Sequence, residues 1–186
     1  MRTFIAILLL LVPVLIIAQI SDQAGNFTLS SSDLGGQAND QQVFNAFGCS
    51  GKNISPQLAW RNPPEGTRSF AITMYDPDAP TGSGWWHWVV YDIPFSMKEI
   101  PAGAGSADGT GLPKGATQSI TDFGMAGYGG PCPPPGHGPH QYVITIHALD
   151  VEKLEVPANA SPALIGFNSN SHSLARASLI FYHGRK

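Results

Sequence analysis

Residues 129–140 read Gly-Gly-Pro-Cys-Pro-Pro-Pro-Gly-His-Gly-Pro-His and cannot be regular structure. Their prolines lack a backbone donor and fix φ. Directly behind them stands the strongest strand pattern of the chain, Gln141-Tyr-Val-Ile-Thr-Ile-His-Ala-Leu149, which alternates and is rich in β-branched residues. A rigid irregular segment set against such a strand calls for a fold of strands joined by fixed loops. The 16 prolines and 21 glycines of the whole chain leave little room for long helices.

A second segment repeats the arrangement. Asp76-Pro-Asp-Ala-Pro-Thr-Gly-Ser-Gly-Trp-Trp-His-Trp88 is too rich in Pro and Gly for strand or helix. It lies between predicted strands Ser69–Tyr75 and His87–Ile93. Shorter strands are predicted at Phe27–Leu29, Leu58–Trp60 and Ala177–Tyr182, with Val43–Phe47 as a short strand or a turn. Pro94–Lys114 reads as a long surface connection. Ser161 before Pro162 is a helix start, an N-cap followed by proline at the first helical position. The helix is expected from about Pro162 to about Ser173, with Leu164, Ile165 and Phe167 as its apolar set. Many strands and one late helix make an antiparallel β-sandwich with a small helical addition.

Met1-Arg-Thr, the apolar run Phe4–Ile17 and Ala18 have the layout of a secretory leader. The rival reading is an uncleaved anchor, but the run falls short of the ~20 residues that span a bilayer. Residues 1–18 are therefore expected to be a signal peptide, and residues 19–186 one domain of periplasmic or secreted location. In an exported chain the two cysteines, Cys49 and Cys132, favour a disulfide over two buried thiols. Only 12% of residues are charged and the net charge is −3, with no basic stripe, which argues against nucleic-acid binding.

The residues that can carry chemistry gather at the two irregular segments. Asp76, Asp78 and His87 belong to the first, His137 and His140 to the second. Taken singly, Asp76 and Asp78 are ordinary turn residues, and Trp85, Trp86 and Trp88 are ordinary packing. His147, His172 and His183 fit structural roles, and His137 is a rim residue. His87 and His140 stand out through their joint setting at two strand ends that can meet on one rim. Two imidazoles and loop N–H groups suit an anion, and Asp76 can orient a histidine.

Asp76-Pro-Asp-Ala-Pro80, Trp85-Trp-His-Trp88 and Gly138-Pro-His-Gln-Tyr142 resemble the signature blocks of the phosphatidylethanolamine-binding protein family. Asn53-Ile-Ser-Pro56, Leu58-Ala-Trp60, Thr121-Asp-Phe-Gly124, His147-Ala-Leu-Asp150 and Gly166-Phe-Asn168 resemble its bacterial, Raf-kinase-inhibitor-like branch. The resemblance implies a large antiparallel sheet packed on a smaller one. It also implies a small anion pocket lined by Asp76, His87, the backbone near Pro133, His140 and Tyr142. Asp78, Trp85, Trp88 and His137 would support it, with Asp78 bracing the loop. Ala79–Pro80 is a candidate cis peptide on the same grounds. This chain departs from the pattern at Gly82, where eukaryotic relatives carry a pocket tyrosine, and at Gln141, where an arginine is usual.

The function expected is capture of a small anion, phosphate or a phosphorylated headgroup, without catalysis and with a possible protein partner. No cofactor or metal is called for. One alternative is a metal-assisted hydrolase built on the Asp and His residues. Against it, no third carboxylate is tied in by spacing. The other is a protease inhibitor, for which no reactive loop is marked.

Overall fold

The structure, a computed structural model, describes residues 25–186. The expected leader and the first residues of the domain lie outside the described residues. The strands are β1 (Thr28–Ser30), β2 (Leu58–Arg61), β3 (Ser69–Asp76), β4 (Trp85–Pro94), β5 (Glu99–Ile100), β6 (Thr117–Gln118), β7 (His140–Leu149) and β8 (Ser173–His183). One helix, α1 (Pro162–Ser171), precedes β8. They form two antiparallel sheets, β1-β2-β5 and β6-β4-β3-β7-β8, so the expected sandwich of a large sheet on a smaller one is the fold.

The main core lies between the sheets. Tyr142, Ile144 and Ile146 alternate inward from β7, as the period of a strand requires. They meet Phe70, Ile72 and Met74 of β3 and Leu58, Trp60 and Ile100 of the small sheet. Truncating any one of these to alanine is expected to cost about 2–5 kcal/mol. A second cluster covers part of the outer face of the large sheet, where Ala71, Val89, Tyr91 and Leu149 meet Leu154, Ala160 and Ile165. This double cover explains why β3 is buried almost throughout.

β3 and β4 pair with a register shift that places the site. Met74 lies opposite Trp88, whereas Tyr75 lies opposite Trp86. His87 is the extra residue of a β-bulge, which re-aims side chains. Trp86 consequently packs toward the outer cluster, while Trp88 enters the main core. β4 begins two residues earlier than expected, and β5 and β6 fall in or beside the stretch read as a connection. Strands of two residues carry no readable period. Val43–Phe47 is turn. β8 begins at Ser173 rather than Ala177, because as an edge strand it alternates half-buried and exposed residues instead of running apolar.

The helix corrects its expected apolar set. Ser161 accepts the Leu164 N–H at 3.2 Å and Pro162 opens the first turn, as anticipated. The buried face is Pro162, Ile165, Gly166 and Ser169. Leu164 and Phe167 point outward, 39% and 68% exposed. Gly166 lies on the face toward the Trp86 ring, with room for ordinary contact, so the helix packs through Ile165 and small residues and not through its larger apolar ones. The expected cis bond at Ala79–Pro80 is also corrected, since no described peptide bond is cis. The loop closes with trans geometry through Asp78 N–H on Asp76 Oδ1 and Thr81 N–H on the Ala79 carbonyl, both 2.8 Å.

Candidate functional site

Asp76 ends β3 and is 3% exposed. Its Oδ1 accepts the Asp78 N–H, and its Oδ2 accepts Nδ1–H of His140 at 2.8 Å. His140 opens β7 and is equally buried. Asp78 turns its own Oδ2 to the Gln141 N–H at 2.8 Å. The aspartate loop is thereby fixed to the start of β7. Gly84, at φ +67, makes the tight return into β4, where a Cβ would strike the Tyr75 hydroxyl.

His87 sits on the bulge, 4% exposed. Its Nδ1 lies 2.6 Å from the Gly129 carbonyl, and the Gly129 N–H donates back to the His87 carbonyl at 2.9 Å. Burial lowers the His87 pKa to about 4, and the Gly129 carbonyl and the Asp76 charge oppose that only in part. The imidazole is therefore neutral near pH 7. Tyr142 and Phe123 stand edge-to-face on it at ring distances of 5.1 and 5.3 Å.

The proline segment forms the facing wall and is strapped from several directions. Cys132 is joined to Cys49 by a disulfide. Phe44 N–H donates to the Pro131 carbonyl at 3.1 Å, and Gly130 N–H to Asn53 Oδ1 at 2.7 Å. Gly130 passes so close to residues 42–44 that a Cβ would collide with the Gln42 carbonyl. From the chain end, Arg185 Nη1 reaches the Phe47 carbonyl at 3.2 Å and the Pro133 carbonyl at 3.4 Å.

Between the walls lies a hollow of about 160 Å³ lined by Asp76, His87, Pro133, His140 and Tyr142, with Trp85, Pro80, Thr81, Phe47, Phe123 and Cys132 around them. Two lining residues hold buried polar atoms without a protein partner among the described residues, the Tyr142 hydroxyl and the Trp85 indole N–H. Burial, then the charge of the Asp76 carboxylate toward which the hydroxyl points without a well-formed hydrogen bond, pushes the Tyr142 pKa upward, so its hydroxyl keeps its proton. Buried polar groups are nearly always paired, and these two are donors without a hydrogen bond.

A family model for phosphatidylethanolamine-binding protein matches residues 35–183. The chain belongs to the phosphatidylethanolamine-binding protein family. UPF0098 protein YbcL of Escherichia coli K12 is 50% identical over 161 residues, 86% of this chain and 88% of YbcL. YbhB of the same strain is 51% identical over 153 residues, 81% of this chain and 96% of YbhB. The crystal structure of E. coli YbcL, described as a new member of the mammalian PEBP family, matches with a TM-score of 0.84 at 48% identity. It covers 87% of this chain and 100% of that one.

In this member of the phosphatidylethanolamine-binding protein family the five expected lining residues come together in one hollow, and Trp85 joins them. Trp88 does not. It is fully buried in the main core, where its indole N–H donates to Gln118 Oε1 at 2.7 Å. The bulge at His87 turns it into the main core, farther along β4 than the hollow. His137 lies at the exposed tip of its loop, with its ring 5.8 Å from that of His140, and does not line the hollow. Phe123 and Phe47 were not foreseen there. Phe123 lies within the Thr121–Gly124 block, but only its edge-to-face contacts with Trp85 and His87 show its place. His147 is a buried structural residue paired with Ser173 Oγ, and His172 pairs with Asp150 at the surface.

Proposed function

We propose that the hollow captures a small phosphorylated anion, inorganic phosphate or a phosphorylated headgroup, and that the protein acts by binding rather than by catalysis. One observation carries this reading. His87 and His140 are each locked by a separate acceptor beside the same hollow, and the Tyr142 hydroxyl and Trp85 N–H there have no protein partner. The hollow is well below the roughly 300–1,000 Å³ of a pocket for a drug-sized ligand, and so suits a single phosphoryl group with a short substituent. A hydrolase would need more than this pair of acids and imidazoles. Among the described residues no group of three or more His, Cys, Asp or Glu is placed to share a metal ion.

The expected leader and the disulfide together support export to the periplasm or the medium, because such bonds persist in oxidising compartments. Among the described residues no helix is long and apolar enough to cross a membrane.

Titration of the purified protein with phosphate and O-phosphorylethanolamine, beside His140→Ala, tests the binding reading. Millimolar-to-micromolar affinity that the substitution removes is the expected result. No binding by the native protein overturns it.

A further inference from the structure

The orientation of His87 specifies what an anion in this hollow has to carry. The Gly129 carbonyl can only accept a hydrogen bond. At 2.6 Å it therefore assigns the proton of the neutral ring to Nδ1. That leaves Nε2, on a residue lining the hollow, as a bare lone pair. The Asp76 carboxylate beside it is likewise an acceptor, with each oxygen already taking one N–H. The polar inventory of the lining is thus mixed, with donors at Tyr142 and Trp85 and acceptors at His87 and Asp76. A fully deprotonated oxyanion offers only lone pairs and leaves the His87 nitrogen unpaired in a buried place, which hydrogen-bonded sites reject strongly.

We propose that the pocket selects an anion bearing its own proton, a singly protonated phosphate or phosphate monoester, and discriminates against sulfate. This rests on the phosphate-pocket reading above. The ligand P–OH donates to His87 Nε2, while its charged oxygens take the Tyr142 and Trp85 donors.

The alternative is that His87 gains a proton and receives a bare dianion. The groups that face the ring decide against it. They are Asp76 from β3, Asp122 and Phe123 from the segment after β6, Tyr142 from β7 and the Gly129 and Gly130 backbone. Neither carboxylate is hydrogen-bonded to the ring, and aromatic faces enclose the rest, so the imidazolium has little to offset its lost hydration. Wherever the shared proton rests, the complex holds one proton more than neutral His87 plus the dianion. Affinity therefore falls about tenfold per pH unit above the second pKa of the ligand, ~6 for a monoester.

The test uses the intact protein and calorimetric titration at constant ionic strength. Phosphate and sulfate are compared at pH 7, and O-phosphorylethanolamine is followed from pH 5.5 to 8.5. Sulfate should bind at least tenfold more weakly than phosphate. The phosphorylethanolamine affinity should fall close to tenfold between pH 7 and 8, with uptake of one proton in buffers of different ionisation heat. Sulfate binding within threefold of phosphate, or an affinity that is flat above pH 6.5, overturns the proposal and leaves the binding reading standing. If neither phosphate nor phosphorylethanolamine binds, both readings fall.

Discussion

The carboxylate of Asp78 and the backbone N–H of Gln141 meet at 2.8 Å, across 63 positions of sequence, and tie one side of the pocket to the other. Hydrogen bonds to a charged acceptor contribute roughly 1.5–3 kcal/mol, and this one lies at the rim, where water competes. Asp78→Ala should lower stability by about 1–2 kcal/mol and weaken phosphate binding, whereas Asp78→Asn, which keeps an acceptor, should retain most of both. Denaturation midpoints and phosphate titrations of the two variants check this. Equal losses in both would deny the bracing role.

Stability should fall with acid in a defined window. Burial holds the His87 pKa at about 4, and burial with the Arg176 charge does the same for His147. In the unfolded chain both protonate near pH 6.5. Above that value neither state is charged and stability is complete. Between pH 6.5 and 4 the unfolded chain binds more protons, so stability is lost as pH falls. Each residue accounts for about 3 kcal/mol over that window. Urea unfolding at pH 7.5, 6, 5 and 4 measures it, with His147→Gln expected to show the smaller loss. A free energy unchanged from pH 7.5 to 5 would contradict both assignments.

The Cys49–Cys132 bond closes a loop of 83 positions. In the chain-entropy model such closure stabilises by roughly 4–5 kcal/mol. Replacing both cysteines by serine should lower unfolding free energy by about that amount. It should also weaken phosphate binding, since Cys132 stands beside Pro133 in the wall. Unfolding and titration of the double variant separate the two effects.

Gly129→Ala should damage the pocket more than the fold. Its Cβ would run into the Phe123 ring, and overpacking of this kind costs about 1–3 kcal/mol. The ring can swing outward, but the Gly129 carbonyl then shifts from His87 Nδ1. The expected outcome is a modest drop in melting temperature and at least a tenfold loss of phosphate affinity. Native affinity in this variant would show that the carbonyl does not orient His87.

The features legible in the sequence are those carried by local chemistry. The alternation of Tyr142, Ile144 and Ile146 announces β7, and Ser161-Pro162 announces the helix. The joint presence of Asp76, His87 and His140 at strand ends marks the rim. What was hidden depends on register or distant contact. Trp88 was misplaced because the bulge that turns it into the core leaves no composition signal. Leu164 and Phe167 look like a packing face until Gly166 meets Trp86. Phe123 is a wall residue only because an irregular segment folds over His87. The Asp78–Gln141 link joins residues that no local pattern relates.

The bulge at His87 also separates two selective pressures along one strand. On its N-terminal side Trp85 faces the hollow; after it, Trp88, Val90 and Ile93 face the core. The extra residue resets the phase, so the positions lining the hollow, Trp85 and His87, end where those facing the main core begin. Exchange of these two can then reshape the hollow while the interior keeps its own alphabet.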